Sequence, residues 1–173
     1  IIKNLGRNAA KNIIEERKTG GRYTSMTDFC IRNYSRDFNR RALENLVKSG
    51  ALDSTEKTRR QMLLSLENVL SIAESKSRFE TGGQMDLFGN DNENETYELP
   101  YCDELKLGEL YAFEKEATGM YISYHPMEEY AEYIKKCKFA YIADILEGKY
   151  ADNRQVTVAA MVSSVKEKKR KGD

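Results

Sequence analysis

The chain opens with Ile2-Lys3-Asn4-Leu5-Gly6-Arg7-Asn8-Ala9-Ala10-Lys11-Asn12-Ile13, where turn-forming, small and basic residues follow one another closely. A tight turn at Asn4-Leu5-Gly6 exposes consecutive backbone N–H groups. A helix starting at once adds unpaired donors and the positive end of its dipole. Such a concavity accepts a phosphate whatever base it carries. Lys3, Arg7 and Lys11 stand beside it and can contact neighbouring phosphates. Gly6 is expected to supply the backbone freedom of the turn, and Asn4 is among the residues most tolerant of positive φ after glycine. The same string would also serve as an ordinary glycine turn between two packed helices.

This string is similar to the second half of a helix-hairpin-helix motif, whose usual Gly is replaced here by Asn4. Further on, Asn39-Arg40-Arg41 leads into ALENLVKSGALDS. That run resembles a second, degenerate hairpin, with Arg40 and Arg41 as further candidates for backbone contact or as plain solvated charge.

Gln84-Met85-Asp86-Leu87-Phe88 is a different signal. It is an apolar island in a polar stretch, with Gly82-Gly83 before it and Gly89 after it. Exposed Met, Leu and Phe cost solvation unless something buries them. Either a partner does so or the segment folds back on its own domain. The pattern QxxLF resembles the motif by which bacterial proteins bind the β sliding clamp. That resemblance implies that Leu87 and Phe88 fill an apolar pocket while the Gln84 amide meets polar groups at its rim.

The elements that carry these strings are read from periodicity. Ala9, Ala10, Ile13 and Ile14 form a helical stripe ending at Gly20-Gly21. Ser25 with Asp28 forms a capping box, and Asn39 caps a helix bearing Ala42, Leu43, Leu46 and Val47 that stops at Gly50. From about Thr55 to Phe79 the spacing of Met62, Leu63, Leu66, Val69, Leu70 and Ala73 predicts one long amphipathic helix. Residues 81–98 are polar and read as a linker. Helical pattern returns from about Glu104 to Thr118, stops at Gly119, and resumes after Pro126 to about Lys136. Val156, Val158, Ala160 and Val162 then alternate with other residues at a strand-like period of two.

Charge is segregated along the chain. The formal net charge is +0, yet residues 1–80 hold 16 Lys and Arg against 10 Asp and Glu, and residues 81–150 hold 6 against 15. Residues 151–173 hold 6 against 3. A basic first part followed by an acidic one suits a chain in which only the first part faces phosphates. No apolar run approaches the roughly 18 residues of a membrane span, so no membrane partner is expected. Three well-separated Cys, at 30, 102 and 137, form neither a disulfide framework nor a zinc pair, and a cytoplasmic compartment is expected. The sequence starts at Ile1 and directly in a motif, as expected of a piece of a longer polypeptide.

Neither a catalytic nor a metal site is expected. His125 has no nucleophile near it in sequence and precedes Pro126, which suits a structural role at a helix start. Asp91, Glu93 and Glu95 alternate with nothing to fix their geometry as ligands. The tyrosines crowded into the acidic half are assigned to packing.

Taken in order, the hairpin pair, the long helix, QMDLFG, then EKEATGMY at 114–121, His125-Pro126-Met127 and the alternating run resemble the C-terminal part of bacterial DNA polymerase III α subunits. The resemblance covers essentially the whole chain and includes SGALDS at 49–54. It implies a mainly α fold: helix-hairpin-helix duplex-DNA-binding region over 1–80, clamp-binding linker and small helical region over 81–150, and truncated start of an OB-fold over 151–173. It further implies duplex DNA, the β clamp and other replisome subunits as partners. The nucleotidyltransferase chemistry and its Mg would belong to a longer parent chain, and this fragment would hold no cofactor. The alternative is a repair or junction-processing protein that combines helix-hairpin-helix modules with a clamp peptide. A helical scaffold without DNA affinity is the third.

Overall fold

The computed structural model describes residues 2–35, 38–82 and 97–167. Among them the regular elements are helical: α1 (Arg7–Gly20), α2 (Met26–Asn33), α3 (Arg40–Lys48), α4 (Arg59–Leu64), α5 (Leu66–Gly82), α6 (Leu107–Thr118), a 3-10 turn (Pro126–Tyr130), α7 (Ala131–Lys136) and α8 (Ile142–Leu146). Two compact units result, Ile1–Ser123 and Tyr124–Asp173. Residues 97–123 thus belong with the first helices, whereas their acidic composition groups them with the second sequence region.

Local chemistry explains most helix ends. Ser25 Oγ accepts from Asp28 N–H at 3.0 Å, and Asp28 Oδ2 accepts from Thr24 N–H at 2.9 Å, so the α2 box closes one residue earlier than a reciprocal pair would. Asn39 Oδ1 accepts from Ala42 N–H at 3.0 Å and starts α3. Gly119, at φ 84 and ψ −3, ends α6 in the left-handed region. His125 Nδ1 accepts from Met127 N–H at 3.1 Å, which makes it the cap of the Pro126 turn.

The predicted helix over 55–79 is two helices. Thr58 Oγ1 accepts from Gln61 N–H and starts α4 later than the apolar spacing indicated. Ser65 then breaks the ladder, its N–H bonding to the Met62 carbonyl rather than one residue further back. The apolar stripe survives the break: Met62, Leu66, Val69 and Ala73 are all buried. They join Met26, Phe29 and Cys30 of α2, with Ala42, Leu43, Leu46 and Val47 of α3, in one core. Tyr23, Phe29 and Phe38 extend it through edge-on ring contacts at 4.8 and 5.7 Å. Each fully buried large side chain there contributes on the order of 2 kcal/mol by area.

Residues 97–104 form a non-helical strap laced to α2 and α4 by side chains. Thr27 Oγ1 donates to the Tyr97 carbonyl, Gln61 Nε2 to the Leu99 carbonyl at 2.7 Å, and Thr58 Oγ1 to the Cys102 carbonyl at 3.1 Å. Leu99 inserts into the core. Glu104 ends the strap by accepting from the N–H groups of Arg59 and Arg60, and so caps α4.

In the second unit, the alternating run over 156–162 joins no strand ladder, and no strand occurs among the described residues. A strand is defined by a partner's backbone. Here one bond, from Ala140 N–H to the Thr157 carbonyl at 2.8 Å, reaches the run. Among the described residues the alternating run therefore forms no ladder, and Val162 is 77% exposed.

Candidate nucleic-acid interface

The first turn of α1 is positioned by the residues before it. Ile2 and Leu5 pack against the core, Leu5 N–H bonds to the Ile2 carbonyl, and Asn4 between them sits at φ 60. Asn4 is thus the residue that adopts the left-handed conformation, as its type permits. Gly6 does not: it is the helix N-cap at φ −65 and ψ 154, extended backbone open to any residue. The expectation that Gly6 supplies the turn's freedom is corrected, because the reversal is completed before the chain reaches it. A Cβ on Gly6 would meet nothing within 4 Å.

The consequence is an uncapped, open helix start. Gly6 has no side chain to satisfy the first donors of α1, and no acidic residue lies in the first turn. Lys3, Arg7 and Lys11 are exposed around it, with no ion pair for any of them among the described residues. Ala9 is buried beneath, where a larger side chain would lift the helix from its support.

That support is α6. Lys3 N–H donates to the Ala117 carbonyl at 2.8 Å, which uses one of the carbonyls left over at the α6 C-terminus to hold the turn. In its turn α6 is fixed by Glu114. This carboxylate is 1% exposed and accepts from both Nη atoms of Arg59 at 3.1 Å, from Ser123 N–H and Oγ–H at 2.9 and 2.6 Å, and from Ile122 N–H at 3.1 Å. Burial pushes the Glu114 carboxyl up, but the bonds from Ser123, Ile122 and Arg59 outweigh it, and its pKa lies below the ordinary value. Arg59 also pairs with Asp53 at 2.7 Å, the first cause of its raised pKa. Lys48 of α3 reaches Glu116 at 2.9 Å and lies over the Phe113 ring. None of these long-range pairs is visible in spacing, although Glu114 belongs to a string that the sequence singles out.

The remaining expected residues separate. Arg40 is engaged by Glu44 at 3.4 Å and by Glu67. Arg41, beside it at the start of α3, is exposed. Gln84, Met85, Asp86, Leu87 and Phe88 lie outside the described residues, as do Asp91, Glu93 and Glu95. Among the described residues no group of three or more His, Cys, Asp or Glu is placed to hold a metal ion.

The geometry defines a helical body that presents a helix N-terminus on a tight turn, and a sequence model of the helix-hairpin-helix motif matches residues 1–62. Beyond the motif, the chain is similar to segments of proteins named DNA polymerase III subunit alpha. It is 38% identical over 138 residues to that of Xylella fastidiosa (strain Temecula1 / ATCC 700964), covering 78% of this chain and 12% of the relative. For Deinococcus radiodurans the identity is 41% over 138 residues, covering 75% and 10%. For Bacillus subtilis (strain 168) it is 33% over 165 residues, covering 95% and 14%. The chain therefore spans about an eighth of the length of the relatives it matches.

Proposed function

We propose that this chain is a segment of a bacterial DNA polymerase III α subunit, and that its task is to hold duplex DNA by backbone contacts and to tether the polymerase to the β sliding clamp. The observation that carries the first half is the open start of α1: orphan N–H donors, no cap, no acid in the first turn, and three exposed cations around it. Such a site neutralises phosphates and reads no sequence. The motif match over the same residues and the named relatives support it.

The second half rests on Gln84-Met85-Asp86-Leu87-Phe88 and its resemblance to clamp-binding peptides. Tethering turns each rebinding into an intramolecular event at an effective concentration in the millimolar range. The polymerase thereby becomes processive even with a weak peptide. In this reading the nucleotidyl transfer and its metal ions belong to other parts of the longer protein, in the bacterial cytoplasm, with other replisome subunits as neighbours.

Fluorescence anisotropy with random duplex across a salt series tests the DNA contact. A linear log–log dependence, with a slope of about −0.9 per phosphate neutralised, is expected; no binding at low salt refutes it. For the tether, Leu87→Ala with Phe88→Ala is expected to abolish binding to purified clamp while duplex affinity stays unchanged. Unaltered clamp affinity in that double variant refutes the assignment.

A further inference from the structure

The left-handed Asn4 is held from outside its own turn. A residue other than glycine at φ 60 persists where its surroundings fix the backbone beside it. The bond within the turn, from Leu5 N–H to the Ile2 carbonyl, is long at 3.4 Å, whereas Lys3 N–H reaches the Ala117 carbonyl at 2.8 Å. The shorter of the two comes from α6. The direction in which the first donors of α1 point therefore follows the position of the last turn of α6.

Glu114 stands three residues before Ala117, a spacing that puts both on one face of α6, and both are buried. Glu114 Oε1 accepts from the two Nη atoms of Arg59 and from Ser123 Oγ–H, and Oε2 accepts from the N–H groups of Ile122 and Ser123. Arg59 is itself fixed by Asp53 through two bonds at 2.8 and 2.7 Å. A continuous run of short contacts thus leads from α4 through Glu114, Ala117 and Lys3 to Asn4 and the start of α1. We infer that Glu114 is a positioning residue for the duplex contact: it touches no phosphate, but it sets the backbone donors that do. The inference rests on the duplex-binding reading of the α1 start and invokes none of its cations.

A glutamine at 114 offers one oxygen to these five donors, so its NH2 group faces either Arg59 or the two backbone N–H groups, and the last turn of α6 must shift. The test compares the unsubstituted chain, Glu114→Gln and Val69→Ala by duplex anisotropy over a salt series and by native-state amide exchange of Lys3. Val69 is buried in α5, outside this run of bonds, and reports what lost stability alone does. Glu114→Gln is expected to weaken duplex binding by about threefold to tenfold, the scale of one net hydrogen bond, with the salt slope unchanged because no cation is lost. Lys3 N–H should exchange faster relative to the amides of α3, and Val69→Ala should leave duplex affinity unchanged. If Glu114→Gln does not fold, Ser123→Ala, which removes only the 2.6 Å bond, is read in its place, with a smaller loss of the same pattern expected. Unchanged affinity in the folded variant overturns the inference. So does an equal loss in Val69→Ala, or a Lys3 amide as protected as before. An unsubstituted chain that binds no duplex removes the underlying reading as well, which separates the two failures.

Discussion

Arg59 and Glu114 pair at 3.1 Å across 55 residues of sequence, with side-chain exposures of 9% and 1%. Removing one partner of such a pair leaves the other charge buried. Arg59→Ala leaves the Glu114 carboxylate buried without a cation and is therefore expected to cost about 3–5 kcal/mol of unfolding free energy, measured by urea denaturation. Glu114→Ala should cost less, because Asp53 still holds Arg59 at 2.7 Å. The double variant should cost clearly less than the two combined, because the second removal relieves the carboxylate orphaned by the first.

The same carboxylate makes stability sensitive to acid. Both Glu114 and Glu104 lie below the ordinary carboxyl value in the folded chain, burial raising each and hydrogen bonds from Ser123 or from Arg59 N–H more than reversing it. The unfolded chain then binds protons at a higher pH than the folded one. Their contribution is complete above the ordinary carboxyl pKa, about 4.3, and is lost as the pH falls below it toward the folded values. Urea midpoints collected between neutral pH and about pH 3 should show this loss, and Glu114→Gln should flatten it.

Two glycines should respond in opposite ways to alanine. Gly50 stands at φ 79 with the Arg59 guanidinium against the position a Cβ would take. Gly50→Ala combines left-handed strain of roughly 1–2 kcal/mol with displacement of Arg59, so a loss above about 2 kcal/mol is expected. Gly6→Ala should stay within about 1 kcal/mol, the difference between these residues at an N-cap. Thermal unfolding of the two variants checks the contrast, and a large loss at Gly6 would contradict the N-cap geometry.

The cations divide into free and occupied. Replacing Lys3, Arg7 or Lys11 with Ala is expected to reduce the magnitude of the salt slope of duplex binding by up to about 0.9 for each phosphate left without its cation. Arg40→Ala should change it less, because Glu44 and Glu67 already hold that side chain. A salt series on the four variants ranks them directly.

Thiol reactivity should follow burial. Cys30 is in the core, and burial pushes its pKa to about 12. Cys137 is exposed. Mass-resolved labelling with a maleimide under native conditions is expected to modify Cys137 first and Cys30 only on unfolding. Early labelling of Cys30 would mean that the α2 core opens.

Sequence signals are legible where the physics is local. The caps at Ser25 and Asn39 and the left-handed stops at Gly50 and Gly119 depend on neighbours within a few residues. The apolar stripe from Met62 to Ala73 is legible too, since burial follows periodicity. The break at Ser65 is not, because the stripe continues through it and the residue itself breaks no pattern. At the candidate site, the tolerance of Asn4 for positive φ is readable from its type, while Gly6 invites a role that the backbone assigns elsewhere. Polar partnerships distant in sequence leave no trace in spacing: Gln61 with Leu99, Thr58 with Cys102, Arg59 with Glu114. A hydrogen bond between side chain and distant carbonyl has no period, so the strap reads as the tail of a linker.

Because the strap is sewn down at Tyr97 and α5 ends at Gly82, both exits of the intervening stretch belong to the same compact unit. In the proposed reading, the clamp peptide would therefore have both of its flanks held by this one unit. From Gly82 to Phe88 the backbone extends at most about 20 Å. Any protein that takes hold of Leu87 and Phe88 must therefore ride within that radius of α5, and its orbit is set by this body rather than by any downstream hinge.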